Sequence, residues 1–393
     1  DELVADGTVG KVEGRTIFAD FIQFSLALDG LDGRTSLRTD DGHTVQPEAR
    51  QFLRPPGELA LVFGDRIRME ARYNPDGTLD VLKWGRPQLD GPAFRALAVM
   101  RFLRRHGGPA EARRLVEEDI TFTMRHAGEE SFDIWEERRC ADYYTRSLQA
   151  RALSEAADLV SREGDAGRAD EMRAAAMRLE GLLDGHWSPE RHAYRSAAGE
   201  TAATDRDIDF AVVLAAIHAA RPSGAHSVLD PHMQATLATL CTVFSTDYAI
   251  NRARPDAAPA MGRYRGDVYQ SGGAFYFSTL GAAEFHYRLA EALRPGRLGN
   301  ISENAAFRTQ AGVARKVGPA SEVDAVRLVA RGDAFMDTVH RFTPADGALS
   351  EQFDQTDGRQ TSARHLAWSY AAFITATAAR RRAIAVQREG LDA

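Results

Sequence analysis

The sequence predicts an all-α fold in which helices pair around one core. Two observations carry this prediction. Apolar residues recur at three- and four-residue spacing along nearly the whole chain, while the strict alternation of a half-buried strand is almost absent. Short Gly-containing turns, such as His106-Gly107-Gly108-Pro109 and Gly164-Asp165-Ala166-Gly167, join neighbouring helical stretches, and short loops imply antiparallel neighbours. The composition agrees: 44% hydrophobic and 27% charged residues in a chain of 393 is globular and leaves room for a large core.

Taken in order, the periodic stretches fall near 16–29, 90–106, 110–127, 139–163, 166–184, 206–220 and 230–246, then 272–292, 302–315, 322–342 and 361–385. Ahead of them, Leu3 and Val4 have no matching earlier turn and are followed by Gly7, so the chain is expected to start inside a helix. Between helix pairs lie longer segments, 30–89, 128–138, 184–205, 250–273 and 344–360. Loops of that length are usually functional. Within the first, residues 30–80 are expected to hold a small hairpin or two, with Asn74-Pro75-Asp76-Gly77 as a turn.

Composition also narrows function. A net charge of −7 provides no basic field for nucleic acid or an anionic membrane, so neither is an expected partner. The longest apolar run, 210–220, is too short to span a bilayer. Cys140 and Cys241 read as buried thiols rather than a disulfide framework or a zinc site. The chain has no nucleophile elbow, no phosphate-cradling Gly-rich loop and no HExxH. His186, His192, His218, His226 and His232 are too irregularly spaced for a metal set, and Asn300-Ile301-Ser302 is a sequon by spacing only.

Four of the long segments hold the candidate chemistry. Ser131-Phe132-Asp133-Ile134-Trp135-Glu136-Glu137 packs three carboxylates beside two large aromatics. Such crowding raises at least one pKa and suits a general acid, although Asp133 and Glu136 also fit the capping box of a helix start. In Leu349-Ser350-Glu351-Gln352-Phe353-Asp354, Glu351 reads as a second catalytic carboxylate, or as a salt-bridge partner of Arg359 or Arg364. Lys83-Trp84-Gly85-Arg86-Pro87-Gln88-Leu89-Asp90-Gly91-Pro92 offers an indole, a guanidinium and an amide, a set suited to a sugar ring; Asp90 can cap the helix that follows. Met261-Gly262-Arg263-Tyr264-Arg265-Gly266-Asp267-Val268-Tyr269 suits a site wall, with Asp267 its foremost candidate.

The stretches WGRPQLDGPAFRALA, FDIWEE, DYAIN…MGRYRGDVY…GGAFYFSTLGAAEF and LSEQFDQTDGRQTSARHLAWSYAA occur in that order and cover most of the chain from Asp80 onward. Together they resemble glycoside hydrolase family 15, the glucoamylases. The resemblance implies an (α/α)6 toroid of inner and outer helices, formed as one catalytic domain over residues 1–393. It implies Glu136 as general acid and Glu351 as general base. Asp133 and Glu137 would orient and bind sugar near the acid, Trp84 and Arg86 would line subsites, and Trp135 and Asp267 would complete the sugar-binding set. The implied reaction inverts the anomeric centre and releases β-glucose from α-linked chain ends, with the two carboxyls about 6.5–9.5 Å apart and no metal or cofactor required.

Two departures from the family pattern stand out. No Trp-x-Arg-Asp segment is present; Ile17-Phe18-Ala19-Asp20 lacks both Trp and Arg, so that motif is expected upstream of Asp1. Arg265-Gly266-Asp267 stands where fungal members have Pro-Glu-Asp, and Ser245 where they have Arg. α-1,4-Linked maltooligosaccharides are the expected substrate, ahead of α-1,6 linkages in isomaltose or dextran and then trehalose. The reading from another class is a noncatalytic carbohydrate-binding toroid.

Overall fold

The computed structural model describes residues 2–35, 46–199, 204–293, 304–313 and 322–391. The sequon Asn300-Ile301-Ser302 lies outside them. The chain divides into two compact units, residues 3–184 and 185–393.

In the first unit, α1 (Glu2–Ala5) ends in a turn at Gly7, whose φ of 82° is a left-handed conformation suited to glycine. α2 (Lys11–Leu28) starts earlier than its apolar pattern suggests, and α1 packs against it at Gly14, where any Cβ would lie 2.3 Å from Val4. After the short α3 (Pro56–Leu59) come α4 (Gly91–His106) and α5 (Glu111–Arg125), then α6 (Tyr143–Arg162) and α7 (Ala166–Asp184). Their burial follows the period of the sequence. α7 hides one stripe, Ala169, Met172, Ala175, Ala176, Leu179 and Leu183, whereas α6 is buried on nearly every face through its first four turns. α4 packs on α5 and α6, and α6 on α7. Each fully buried Leu or Phe at these contacts contributes about 1.5–3 kcal/mol.

Of the hairpins expected in segment 30–80, one forms in minimal shape among the described residues, an antiparallel bridge between Tyr73 and Leu79 closed around Asn74–Gly77. Segment 30–89 also holds two 3₁₀ turns and a second isolated bridge, Leu53↔Leu82. Leu59, Val62, Ile67 and Leu79 give it a small core of its own.

The second unit contains α8 (Ala211–Ala219), α9 (Pro231–Asp247), α10 (Ala249–Arg252), α11 (Tyr276–Ala292), α12 (Ala305–Gln310), α13 (Glu322–Arg341) and α14 (Ala367–Leu391). α11 lies at its centre and packs on α8, α13 and α14. Gly332 of α13 leaves room for the Tyr287 ring of α11, to which a Cβ would come within 2.5 Å. The Tyr287 hydroxyl donates to Asp333 at 2.6 Å, and Arg380 of α14 donates to the same carboxylate at 2.6 Å and 3.0 Å.

Three predicted helices begin later than their periodicity implies, for one reason: residues ahead of the first turn pair as strands. β1 (Ser131–Phe132) pairs with β2 (Arg139–Asp142), so α6 starts at Tyr143, where Asp142 caps it by accepting from Thr145 N–H at 2.7 Å. β6 (Ala274–Phe275), β7 (Gln352–Phe353) and β8 (Gln360–Thr361) form a sheet in that order, which delays α11 and α14. β3 (Trp187–Ser188) and β4 (Ala193–Tyr194) make a further hairpin, and the two-residue β5 (Ala197–Ala198) follows it in the chain. Among the described residues no helix is long and apolar enough to cross a membrane, and no group of three or more His, Cys, Asp or Glu is arranged to hold a metal ion.

Candidate active site

The acidic segment is not a helix start. Residues 133–138 form the tip of the β1–β2 hairpin, closed by Asp133 N–H to Arg138 O at 2.9 Å and Glu136 N–H to Asp133 O at 2.9 Å. The Asp133 carboxylate accepts from Glu137 N–H at 2.9 Å and is buried, so its visible role is to shape the turn that carries Glu136. Trp135 is buried and Glu137 exposed. Glu136 itself has a φ of 62°, a left-handed backbone unusual for a residue with a side chain.

The Trp84 segment runs beside this hairpin. Phe132 N–H donates to Pro87 O at 2.9 Å, and Leu89 N–H to Ser131 Oγ at 3.0 Å. At Gly85 the approach is so close that a Cβ would stand 2.6 Å from the Phe132 ring and 2.8 Å from Glu136 O. Trp84 and Arg86 therefore flank the residue whose backbone holds Glu136. Burial pushes the Glu136 pKa upward, opposed by the Arg86 and Arg72 guanidinium groups and reinforced by Asp133, and its Oε2 is buried without a hydrogen bond. Asp90 stands at the start of α4 but makes no capping hydrogen bond, contrary to expectation; burial, with the charges of Glu136 and Asp133, pushes it up to about 6.

Residues without a distinctive sequence pattern complete this wall. Glu70 Oε2 accepts from Arg86 Nε at 2.6 Å and from the buried Arg54 at 2.8 Å. Asp80 accepts from the Trp84 indole N–H at 3.0 Å and from Arg72 at 2.8 Å. Arg86 Nη1 also donates to Leu82 O and Trp84 O, and its Nη2 is a buried donor without a partner. All these charges belong to segment 30–89, which lacks any apolar period; their alignment is visible only after folding.

In the second unit, Glu351 sits immediately before β7. Its N–H donates to Ala363 O at 2.8 Å, and its carbonyl accepts from Tyr276 N–H at 3.3 Å. Its carboxylate accepts a hydrogen bond from Ser362 Oγ, a residue with a left-handed φ of 64°. Neither suggested salt bridge forms among the described residues, and Arg359 pairs with Asp357 instead. Gln352, fully buried, ties this strand to the fourth segment by accepting from Ser271 Oγ at 3.1 Å and donating to Tyr269 O at 3.3 Å. Asp267 is occupied by Arg263, through Nε at 2.7 Å and Nη2 at 2.6 Å, and by Tyr269 N–H at 2.9 Å. That carboxylate orients Arg263, whose guanidinium lies 5.1–5.3 Å from the Tyr264, Tyr269 and Phe275 ring centres.

The four motifs thus fall into two constellations, Trp84 and Arg86 with Asp133, Trp135, Glu136 and Glu137 in one unit, and Asp267 with Glu351 in the other. The profile described as Glycosyl hydrolases family 15 matches residues 62–378, which include every one of these residues. The chain belongs to that family. Among curated family 15 relatives, the glucoamylase of Neurospora crassa is 31% identical over 318 residues, covering 76% of this chain and 50% of its own length. The probable glucoamylase of Schizosaccharomyces pombe is 30% identical over 323 residues, covering 78% of this chain and 68% of its own. Against several of these relatives the chain spans about half their length. Among solved structures, the family 15 glucoamylase of Hypocrea jecorina aligns with a TM-score of 0.71 and 27% identity over 79% of this chain and 54% of its own. The glucoamylase of Saccharomycopsis fibuligera aligns with a TM-score of 0.77 over 98% of this chain and 84% of its own, at 20% identity. The all-α, (α/α)6 class predicted from sequence is the fold class of these structures.

Proposed function

We propose that this family 15 chain is an inverting glycoside hydrolase acting on the non-reducing ends of α-glucans, with α-1,4-linked maltooligosaccharides as substrate. The observation that carries the reading is Glu136: a half-buried carboxyl with a raised pKa, fixed in a strained turn and flanked by Trp84 and Arg86. A carboxyl whose neutral form is favoured by burial is suited to proton donation to a glycosidic oxygen. Glu136 gives its proton to the departing oxygen as the C1–O bond breaks. Water adds to the opposite face of C1 and loses its proton to Glu351, whose carboxylate is held by Ser362. The product is β-D-glucose, and proton exchange with solvent resets both carboxyls. Trp84, partly exposed, offers a ring face to sugar C–H groups.

The test is NMR of the first product released from maltotriose, with isomaltose and trehalose run in parallel. Initial β-glucose supports inversion, and initial α-glucose rejects it. Glu136→Gln and Glu351→Gln are each expected to lower kcat by at least a thousandfold while retaining sugar binding. Turnover left intact in either variant removes that residue from its role. Sugar binding by the unmutated chain without turnover on any of the three substrates would favour a carbohydrate-binding protein.

A further inference from the structure

We propose that Asp80 is a positioning residue that fixes which face of the Trp84 indole is offered to substrate, and so sets affinity for the sugar units that stack there. The inference rests on the reading of Trp84 as a sugar platform. A tryptophan that is 38% exposed on a loop has little packing to hold its rotamer. Here three contacts hold it. Its indole N–H donates to Asp80 Oδ2 at 3.0 Å, the Arg72 guanidinium carbon lies 4.9 Å from its ring centre, and its backbone carbonyl accepts from Arg86 Nη1 at 3.3 Å.

Asp80 is the point where this arrangement is tied together. It is only 4% exposed, and its three donors are all local: Leu82 N–H to Oδ1 at 2.8 Å, and Trp84 Nε1 and Arg72 Nε to Oδ2. One oxygen therefore fixes both the edge of the indole and the cation that covers one of its faces. Arg72 covers one face of the ring, so a sugar that stacks on Trp84 would use the other. An aromatic held in its bound orientation before the ligand arrives avoids the cost of ordering it, which appears as affinity rather than as chemical rate. Arg72 is itself half exposed, so its end of the pair lies at the surface beside the indole while Asp80 is buried beneath it.

Asp80→Leu, Asp80→Asn and Arg72→Gln in the full chain test this. Each is assayed for kcat and KM on maltotriose. Maltotriose affinity is read in the Glu136→Gln background by quenching of indole emission, with Trp84→Phe identifying the share due to Trp84. Asp80→Leu, which removes the acceptor, is expected to raise KM and Kd about tenfold with kcat within about twofold. Asp80→Asn keeps an acceptor for the indole and is expected to stay within about threefold of the parent. An unchanged Kd in Asp80→Leu, or an equal loss in the Leu and Asn variants, overturns the proposal. Should Asp80→Leu fail to fold, the surface change Arg72→Gln decides: a shifted Trp84 emission with weaker binding supports the proposal, and no change in either overturns it. If the unmutated chain binds maltotriose but releases no glucose, the hydrolase reading falls and Asp80 is still tested by affinity. If it hydrolyses normally while the variants bind like the parent, the Asp80 inference alone falls.

Discussion

At the residue scale the most demanding position is Gly85. A methyl group there would meet backbone atoms of Glu136 at 2.8 Å and 2.9 Å as well as the Phe132 ring, and backbone gives way less readily than a flexible side chain. Gly85→Ala is expected to lower kcat/KM by about ten- to a hundredfold and to cost about 1–3 kcal/mol of stability, checked by glucose release and thermal melting. Parent-like behaviour in both would mean that the two segments can separate without consequence. The segment that carries the proposed acid was legible from sequence as three carboxylates crowded beside two aromatics, whereas the choice of Glu136 among them came from the family resemblance. Glu70, Asp80 and Ser362 were not legible. Each is a single polar residue in an unpatterned stretch, and only its partner in the fold, Arg86, Trp84 or Glu351, gives it meaning.

At the scale of elements, the helices follow from apolar spacing, but several of their ends do not. Residues 139–142, 274–275 and 360–361 carry helix-compatible patterns yet pair as strands, because the backbone near the candidate catalytic residues is held by cross-strand hydrogen bonds that local propensity cannot reveal. In contrast, the α11–α13 contact depends on one visible glycine. Gly332→Ala would press a Cβ onto the Tyr287 ring and disturb the Tyr287–Asp333–Arg380 linkage of three helices. A loss of about 1–3 kcal/mol is expected, read as a lower denaturant midpoint. Alanine's better helix propensity offsets less than about 1 kcal/mol of this, so a stabilised variant would show that the ring has room to move.

For the molecule as a whole, charge is distributed so that one unit buries several carboxylates close to the proposed acid. Burial pushes Asp142 up to about 7, with the charges of Asp133 and Asp90 adding to the effect and the Thr145 amide opposing it. Its folded pKa lies above the unfolded value, so its contribution to stability is fully present below about pH 4 and is lost as the pH rises through 7. Asp142→Asn keeps an acceptor for the Thr145 amide but carries no charge. Its stability relative to the parent, read by thermal melting, is expected to rise from pH 4 to about pH 7 and then level off, by a few kcal/mol at most at roughly 1.4 kcal/mol per pKa unit. A difference that stays flat with pH would show that Asp142 is not the titrating group. Nothing in the sequence around Asp142 announces this, since an aspartate before a helix ordinarily ionises with ease.

The left-handed backbone of Glu136 has an evolutionary consequence. Glycine, and to a lesser degree asparagine, occupy that conformation with less strain than glutamate, by about 1 kcal/mol for glycine. A library of this chain selected for heat resistance alone should therefore enrich replacements at 136, whereas selection for growth on starch should purge them. The turn that presents the proposed proton donor is thus a place where selection for robustness and selection for turnover would pull in opposite directions.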